Sequence, residues 1–385
     1  MNLLFDLKTP QHFIGGSSEY IRKVYFSLLS RIEDISLDTK IYALYDSRIG
    51  RFAYEDLSPA KNAKKNVCFV DIASSSLHDV IEKFNIDKVF IGCGQYWRDY
   101  DVEQIKCPVI CVLHDLCDEE YEVNNLSKYV RLNNPYRFIK HLIGGTIRDK
   151  RNLKKNVRLM QMLKTNEFAK IVTVSEYSKS SIMFNYEVPE NKIHVLYSPQ
   201  RVYQSESAVE CDVVRDLIET KKKYYVMISC NRIMKNVHKA IRAFAKYVSH
   251  VEDEQYLVTV GYSGKKITER QIVLPYLSDG DLENLIKNCY AFVFPSLFEG
   301  FGYPPVEAMK FGKPVLCSNT TSMPEIVGDA AISFSPFYET DIYRAFCSLN
   351  KNNYNEYSEK STRKALDIEN RQKKDLDQLI DFILY

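Results

Sequence analysis

The chain has 385 residues, which exceeds the usual size of a single hydrophobic core and predicts two domains. Apolar residues make up 45% of the sequence and charged residues 26%, as is typical of globular proteins and not of disordered or membrane-spanning chains. The net charge is only +2, so the chain as a whole has no electrostatic attraction to nucleic acid. Any anionic partner must therefore be bound by a local patch.

Ten cysteines are present, and no two of them are spaced as a CxxC pair. Several lie inside apolar, strand-like runs such as PVICVL, which predicts buried free thiols and a reducing compartment. Their spacing does not match that of zinc ligands, so no metal cofactor is expected. The start MNLLFDLKTP lacks the basic segment and the apolar run of a signal peptide, and no stretch reaches the length of a membrane span. A cytoplasmic location is therefore expected.

Seven short apolar runs in the first half of the chain predict β-strands. They cover residues 2–7, 40–46, 67–72, 88–93, 109–115, 170–175 and 192–198. Amphipathic helical patterns lie between them, for instance at 17–32 and 75–85. Strands that alternate with helices in this way predict βα units and a parallel sheet buried on both faces.

The same alternation begins again in the second half. Six further strand candidates cover 224–230, 255–261, 270–276, 291–296, 314–318 and 330–334. Residues 199–223 carry no strong strand pattern, so we predict a linker there. The predicted domains are therefore 1–200 and 201–365, and the sequence leaves open whether a charged helical segment at 366–385 packs back on the first domain.

Two doubly wound α/β domains in tandem leave a cleft between their sheets. Ligands of such sheets bind beyond the carboxyl ends of the strands. The residues that directly follow each predicted strand are therefore the candidates for a functional site.

The sequence EGFGYPPVE follows the predicted strand at 291–296 and combines two glutamates with a glycine-rich turn. The paired prolines suit the first turn of a helix, where a missing N–H has no cost. The glycines allow the backbone to approach a ligand closely, and a helix start presents free N–H groups to an anion. Glu299 is predicted at the edge of this turn and Glu307 in the first helical turn, so both are able to face one ligand.

Two carboxylates beside an anion-binding turn are suited to accept hydrogen bonds from hydroxyl groups. A nucleotide sugar offers such hydroxyls on both sides of its diphosphate, on the sugar and on the ribose. For each glutamate taken alone, the competing interpretation is a solvated loop position for Glu299 and a helix N-terminal charge favoured by the macrodipole for Glu307.

The stretch PSLFEGFGYPPVEAMKFGKPV, followed by MPEIVGDAA, resembles the family 4 retaining glycosyltransferases of the GT-B fold, whose signature is E-x7-E. The resemblance covers nearly all of the chain and is strongest from about 224 to 335. Other blocks that carry it are VLHDL, IVTVSEYSKSSI, KIHVLYSP, NRIMKNVHKAIRAF and LSDGDLENLIKNCYAFVFPS. It implies two Rossmann-like domains facing each other across a cleft, with 1–200 binding the acceptor and 201–365 binding the nucleotide sugar.

The resemblance also implies roles for individual residues. Glu299 would contact the donor sugar and Glu307 the ribose hydroxyls, while Arg232 and Lys235 would neutralise the diphosphate in place of a metal. The implied catalytic residues are Glu299, His114, Arg232 and Lys235. The implied donor-binding residues are Gly15, Gly16, Arg232, Lys235, Leu277, Glu299, Gly300, Phe301, Gly302 and Glu307.

The activity implied is transfer of a hexose from a nucleotide-diphosphate sugar to a glycan or lipid-linked glycan, with retention of configuration, as in cell-surface polysaccharide assembly. The blocks GFGYPP and VLHDL resemble those of family members that transfer mannose or rhamnose, so the resemblance favours such a sugar. Two alternatives stay open: a nucleotide-sugar epimerase of the same fold, and a catalytically silent subunit that binds nucleotide sugar or glycan.

Residues 128–164 contain eleven basic residues and one acidic residue, with apolar residues between them. A basic amphipathic surface of this kind is able to lie on anionic lipid, here at the inner face of the cytoplasmic membrane. The alternative interpretation is a solvated helix face. No nucleic-acid-binding motif accompanies the stretch, so nucleic acid is not an expected partner.

Overall fold

The structure, a computed structural model, describes residues 1–12, 15–35, 38–49, 66–120, 154–200 and 209–385. These residues fall into two compact units. The first contains the described residues of Met1–Glu120, Gly144–Arg201 and Arg371–Tyr385, and the second contains those of Val202–Asn370. The later boundary lies between residues 370 and 371, inside one continuous helix, and not between 365 and 366.

The first unit is built on a seven-stranded parallel sheet in the order β3-β2-β1-β4-β5-β6-β7. Its strands are β1 (Asn2–Asp6), β2 (Lys40–Tyr45), β3 (Val67–Asp71), β4 (Lys88–Ile91), β5 (Val109–Leu113), β6 (Lys170–Thr173) and β7 (Ile193–Val195). Strands β4 and β5 are buried along their whole length. This agrees with their continuous apolar runs, which predict a sheet covered on both faces.

The helices of the first unit connect these strands. They are Thr9–His12, Gly16–Asp34, Leu77–Lys83, Cys117–Glu120, residues 154–165 and Glu176–Tyr186. Gly16–Asp34 buries an apolar stripe that includes Tyr20, Ile21 and Val24, the spacing of one helix face. The helix Glu176–Tyr186 is capped by Ser175, whose side chain accepts a hydrogen bond from the Ser178 amide.

The second unit is built on a six-stranded parallel sheet in the order β10-β9-β8-β11-β12-β13. Its strands are β8 (Lys223–Met227), β9 (Gln255–Val260), β10 (Gln271–Leu274), β11 (Ala291–Phe294), β12 (Val315–Ser318) and β13 (Ala331–Phe334). All thirteen predicted strands are therefore confirmed. The core of this unit centres on Tyr225 of β8, whose ring packs edge-on against Phe244 and Phe346.

The helices of the second unit include one that the sequence did not predict. They are Asp212–Glu219, Val237–Val248, Asp279–Asn288, Tyr303–Lys310, Met323–Val327, Glu339–Ser348 and the first part of Tyr354–Leu384. The prediction of a linker over 199–223 is wrong for Asp212–Glu219, which buries Val214 and Leu217. The Asp281 carboxylate accepts hydrogen bonds from the amides of Glu210 and Cys211 just before this helix, at 2.9 and 3.0 Å. A contact this distant in the chain leaves no local signal.

Residues 371–384 of the last helix pack within the first unit. The Asp375 carboxylate accepts a hydrogen bond from the Tyr197 amide at 2.7 Å, and Gln372 donates to the Ser198 carbonyl at 2.6 Å. Arg31 forms an ion pair with Asp377 at 2.6 Å. Within the described ranges, no helix combines the length and the apolar composition that a membrane crossing requires.

Candidate active site

The two predicted cations, Arg232 and Lys235, lie in the loop that follows β8. Arg232 is exposed, and among the described residues its guanidinium has no hydrogen-bond or ion-pair partner. Lys235 is buried, with its Nζ 2.6 Å from Glu299 Oε1 and 4.3 Å from the centre of the Phe294 ring. Asn236 then takes a left-handed conformation (φ 52°) that starts the helix Val237–Val248.

Glu299 follows β11 and is held close to Lys235. The side chains of Glu299 and Lys235 are only 17% and 9% exposed. Glu299 Oε1 also accepts a hydrogen bond from Ser296 Oγ at 2.5 Å. The structure therefore brings together, within hydrogen-bond distance, two side chains that the sequence assigned separately to the diphosphate and to the sugar.

The turn between β11 and the helix Tyr303–Lys310 depends on glycine at position 302. Gly302 has a φ of 93°, and a Cβ at this position would lie 2.3 Å from Met323 Cε. Gly300 precedes it and is half-buried, and Phe301 is buried against the Tyr303 ring at a centroid distance of 5.4 Å. At position 302, glycine is the residue type that allows both this backbone conformation and this close approach of Met323.

We expect Gly302→Ala to destabilise the protein by about 1–3 kcal/mol, since it adds left-handed strain and forces Met323 to move. Thermal unfolding measures this change. Gly300→Ala is the matched control, because Gly300 lies in the same turn without a positive φ. Equal melting temperatures for the two variants would contradict the account of Gly302.

Glu307 is buried in the helix Tyr303–Lys310. The prediction that it lies in the first helical turn is wrong, because the helix begins at Tyr303 and Glu307 is one turn further along. The shift also removes the macrodipole interpretation, since that effect is confined to the first turn. The paired prolines do occupy the first turn, as predicted.

His114 follows β5 in the first unit. Its Nε2 lies 3.1 Å from the Gly92 carbonyl oxygen, and its ring meets the edge of the Tyr20 ring at 4.8 Å. A carbonyl only accepts, so Nε2 carries the hydrogen and Nδ1 is the acceptor nitrogen of the neutral ring. Burial lowers the pKa of His114 to about 4, so the imidazole is neutral at pH 7. It is suited to accept a hydrogen bond and not to act as an acid.

The glycine pair predicted to approach the donor lies at the start of a helix. Gly15 is extended and Gly16 is the first residue of Gly16–Asp34. Neither lies in the left-handed region, so neither position requires glycine for its backbone conformation. Tyr20 of the same helix contacts His114, which links these two predicted features within the first unit.

Leu277 is half-buried after β10, but its neighbour Tyr276 is the more conspicuous residue. Tyr276 is 63% exposed, and its hydroxyl donates to Asn231 Oδ1 at 2.6 Å. The ring packs over Gly261, where an added Cβ would lie 3.0 Å from it. Tyr276 and Asn231 are not among the predicted site residues. The strand predicted at 270–276 includes Tyr276, whereas β10 ends at Leu274 and leaves Tyr276 in the loop that follows.

Most of the basic stretch, 128–153, lies outside the described residues. In its described part, Arg158 is 3.3 Å from Glu103 and Lys164 donates to the Tyr186 carbonyl at 3.0 Å. Lys155 forms an ion pair with Asp99. These three basic side chains therefore contact other residues of the first unit. In the part of the chain that the structure describes, no three His, Cys, Asp or Glu side chains are grouped as metal ligands would be.

Comparison with known proteins finds a family match in the second half of the chain. Residues 212–365 match the model of the family described as Glycosyl transferases group 1. O-antigen chain mannosyltransferase B of Escherichia coli is 32% identical over 180 residues, covering 43% of this chain and 47% of that protein. O-antigen chain mannosyltransferase RfbU of Salmonella typhimurium is 29% identical over 178 residues, covering 43% of this chain and 46% of that protein. The matched region thus spans about half the length of these two relatives.

Solved structures match over the whole chain. A glycosyltransferase from Rickettsia africae has a TM-score of 0.65 at 15% identity, covering 100% of this chain and 98% of that one. Alr3699/HepE of Anabaena, solved with UDP and glucose, has a TM-score of 0.67 at 15% identity, covering 98% and 99%. The chain has the GT-B fold. This confirms the predicted fold of two Rossmann-like domains. WaaG, a glycosyltransferase involved in lipopolysaccharide biosynthesis, also matches, with a TM-score of 0.62 at 14% identity, covering 97% of this chain and 98% of that one.

Proposed function

We propose that this protein is a retaining glycosyltransferase that moves mannose from a nucleotide-diphosphate sugar to a hydroxyl of a glycan or lipid-linked glycan during polysaccharide assembly. The Lys235–Glu299 pair at the carboxyl edge of the second sheet is the observation that carries this proposal. The mannosyltransferase names of the relatives support the choice of sugar.

The position of the pair in the sheet supports a diphosphate ligand. Strand order in the second unit reverses between β8 and β11, which are hydrogen-bonded neighbours. Arg232 and Lys235 follow β8, and Glu299 follows β11, so these loops flank the point of reversal. Ligands of doubly wound sheets bind at this point. The exposed Arg232 and the buried Lys235 together supply the positive charge that a diphosphate needs.

The 2.6 Å separation of Lys235 and Glu299 suits two adjacent groups of one ligand. A phosphate oxygen accepts from Lys235 Nζ, and a hydroxyl of the attached sugar donates to the Glu299 carboxylate. Nζ has three donor hydrogens and the carboxylate has a second oxygen, so the ligand adds two charge-assisted hydrogen bonds while the ion pair stays in place. Glu307, further along the same polypeptide segment, is assigned to the ribose hydroxyls.

The proposed reaction needs no covalent intermediate. The acceptor oxygen forms its bond to the anomeric carbon on the face that the diphosphate leaves, and the acceptor proton passes to the departing diphosphate oxygen. Arg232 and Lys235 stabilise the charge that develops on the leaving group. In the first unit, neutral His114 is suited to accept a hydrogen bond from a hydroxyl through Nδ1 and not to supply a proton.

The exposed ring of Tyr276 is proposed to stack on the nucleobase, because Asn231 fixes the ring beside the Arg232 loop and one ring face lies on Gly261. We expect Tyr276→Ala to weaken the binding of nucleoside diphosphates by about 10- to 100-fold, as base stacking is worth about 1–3 kcal/mol. Titration calorimetry measures the loss. Inorganic pyrophosphate should bind the variant as it binds the wild type, and Tyr276→Phe should keep most of the affinity. Equal weakening of pyrophosphate and nucleotide would contradict stacking.

A direct assay tests the function itself. The full chain is incubated with GDP-mannose, UDP-glucose or dTDP-rhamnose and a mannose-terminated oligosaccharide, and nucleoside diphosphate release and glycan product are measured. With GDP-mannose we expect release of nucleoside diphosphate that depends on the acceptor. The one-bond coupling between the anomeric carbon and its proton should show that the product keeps the donor's configuration. Interconversion of the donor without acceptor would indicate the epimerase, and binding without turnover would indicate the silent subunit.

A further inference from the structure

The segment that follows β12 binds the backbone of Glu299. The Glu299 amide donates to Thr321 Oγ1 at 3.1 Å, and Ser322 Oγ donates to the Glu299 carbonyl at 2.9 Å. Two consecutive hydroxyls therefore bind both polar backbone groups of one residue. The side chain of Met323, the next residue in the chain, packs against Gly302 in the turn that contains Glu299.

Thr321 has a backbone conformation that its side chain disfavours. Its φ is 52°, in the left-handed region that favours glycine. Among the described residues with positive φ it is the only β-branched one. A β-branched residue here is an outlier, and left-handed backbone costs an ordinary residue about 1–2 kcal/mol. Glycine would adopt the same conformation without strain, so the cost is offset by something that the threonine side chain supplies.

The Thr321 hydroxyl is what the side chain supplies to the turn. Glu299 Oε1 has to stay within reach of both Lys235 Nζ and Ser296 Oγ. The direction of the carboxylate depends on the backbone from which it projects, and that backbone is anchored through the amide of Glu299. Without an acceptor at Thr321, the amide turns toward water and the carboxylate moves with it.

We propose that Thr321, whose backbone is strained, is a positioning residue: its side-chain hydroxyl holds Glu299 at the correct distance from Lys235 and from the donor sugar. The inference rests on the proposed glycosyltransferase function, because it assigns Thr321 a task within that site. It predicts that variants keep activity only if they keep the hydroxyl. Stability, in contrast, should rise when the backbone strain at position 321 is relieved.

Three substitutions separate hydroxyl from strain. Thr321→Ser keeps the hydroxyl, Thr321→Val keeps the β-branched shape without it, and Thr321→Gly removes both the hydroxyl and the strain. We expect the serine variant to keep kcat within about threefold of wild type. The valine and glycine variants should lose about 10- to 100-fold in kcat, as misplacement of a substrate-binding group does. The glycine variant should nevertheless melt at or above the wild-type temperature.

Hydrogen exchange supplies a readout that does not depend on turnover. Mass spectrometry of a peptide covering 297–302 should show faster exchange in the valine and glycine variants and wild-type exchange in the serine variant. Unchanged exchange in the valine variant would overturn the positioning role, as would wild-type kcat in the glycine variant. A wild-type protein that transfers no sugar, yet shows the expected exchange differences, would refute the proposed function and leave the positioning of Glu299 by Thr321 supported.

Discussion

Lys235→Met is expected to lower kcat for sugar transfer by about 100- to 1000-fold, the usual effect of removing one preorganised group that stabilises developing charge. Lys235 is buried beside Glu299 and lies at the point where strand order reverses, so the substitution removes the buried positive charge of the proposed diphosphate site. Initial rates at saturating donor measure the change. Lys239→Met is the matched control, because Lys239 is a half-buried lysine of the following helix that donates to the Phe337 carbonyl at 2.7 Å.

The same substitution should also lower stability, since it leaves the Glu299 carboxylate, only 17% exposed, without its cation. Adding Glu299→Gln removes that charge, so the double variant should recover much of the melting temperature. It should not recover activity, because both groups are assigned to the ligand. Recovery of activity together with stability would show that the pair is structural only.

His114→Gln is expected to make the protein less sensitive to acid. The pKa of His114 is lowered by burial to about 4, below its ordinary value of about 6.5. Between these two values the unfolded chain binds a proton that the folded chain does not, so the wild type loses stability as pH falls from 6.5 to 4. The loss from this one group approaches about 3 kcal/mol at pH 4. Glutamine retains a donor for the Gly92 carbonyl and does not titrate.

Denaturant unfolding at a series of pH values measures this difference. The curve of unfolding free energy against pH should be flatter for His114→Gln over that window, with the largest gain relative to wild type near pH 4. His78→Gln is the control, because His78 is an exposed histidine on the surface of the same unit. Parallel curves for wild type and His114→Gln would contradict the assignment of a neutral imidazole.

Much of this molecule was predictable because its signals are local. Each strand is a short apolar run, and the alternation with amphipathic helices indicates a parallel sheet whatever the rest of the chain does. The two prolines and the glycine at 302 likewise predict a turn followed by a helix start from their own backbone preferences. Glu307 falls just beyond the first turn because the helix already begins at Tyr303, one residue before the two prolines.

The sequence by itself determined where the chain forms strands and helices, and which loops carry glutamates, cations and glycines. Only the tertiary structure decided that Lys235 pairs with Glu299, 64 residues away, and that Thr321, in a left-handed conformation, accepts a hydrogen bond from the Glu299 amide. It also decided that Tyr276 is fixed beside Asn231. Backbone preference and hydrophobic periodicity act over a few residues, whereas these contacts depend on which strands become neighbours, a property of the whole sheet.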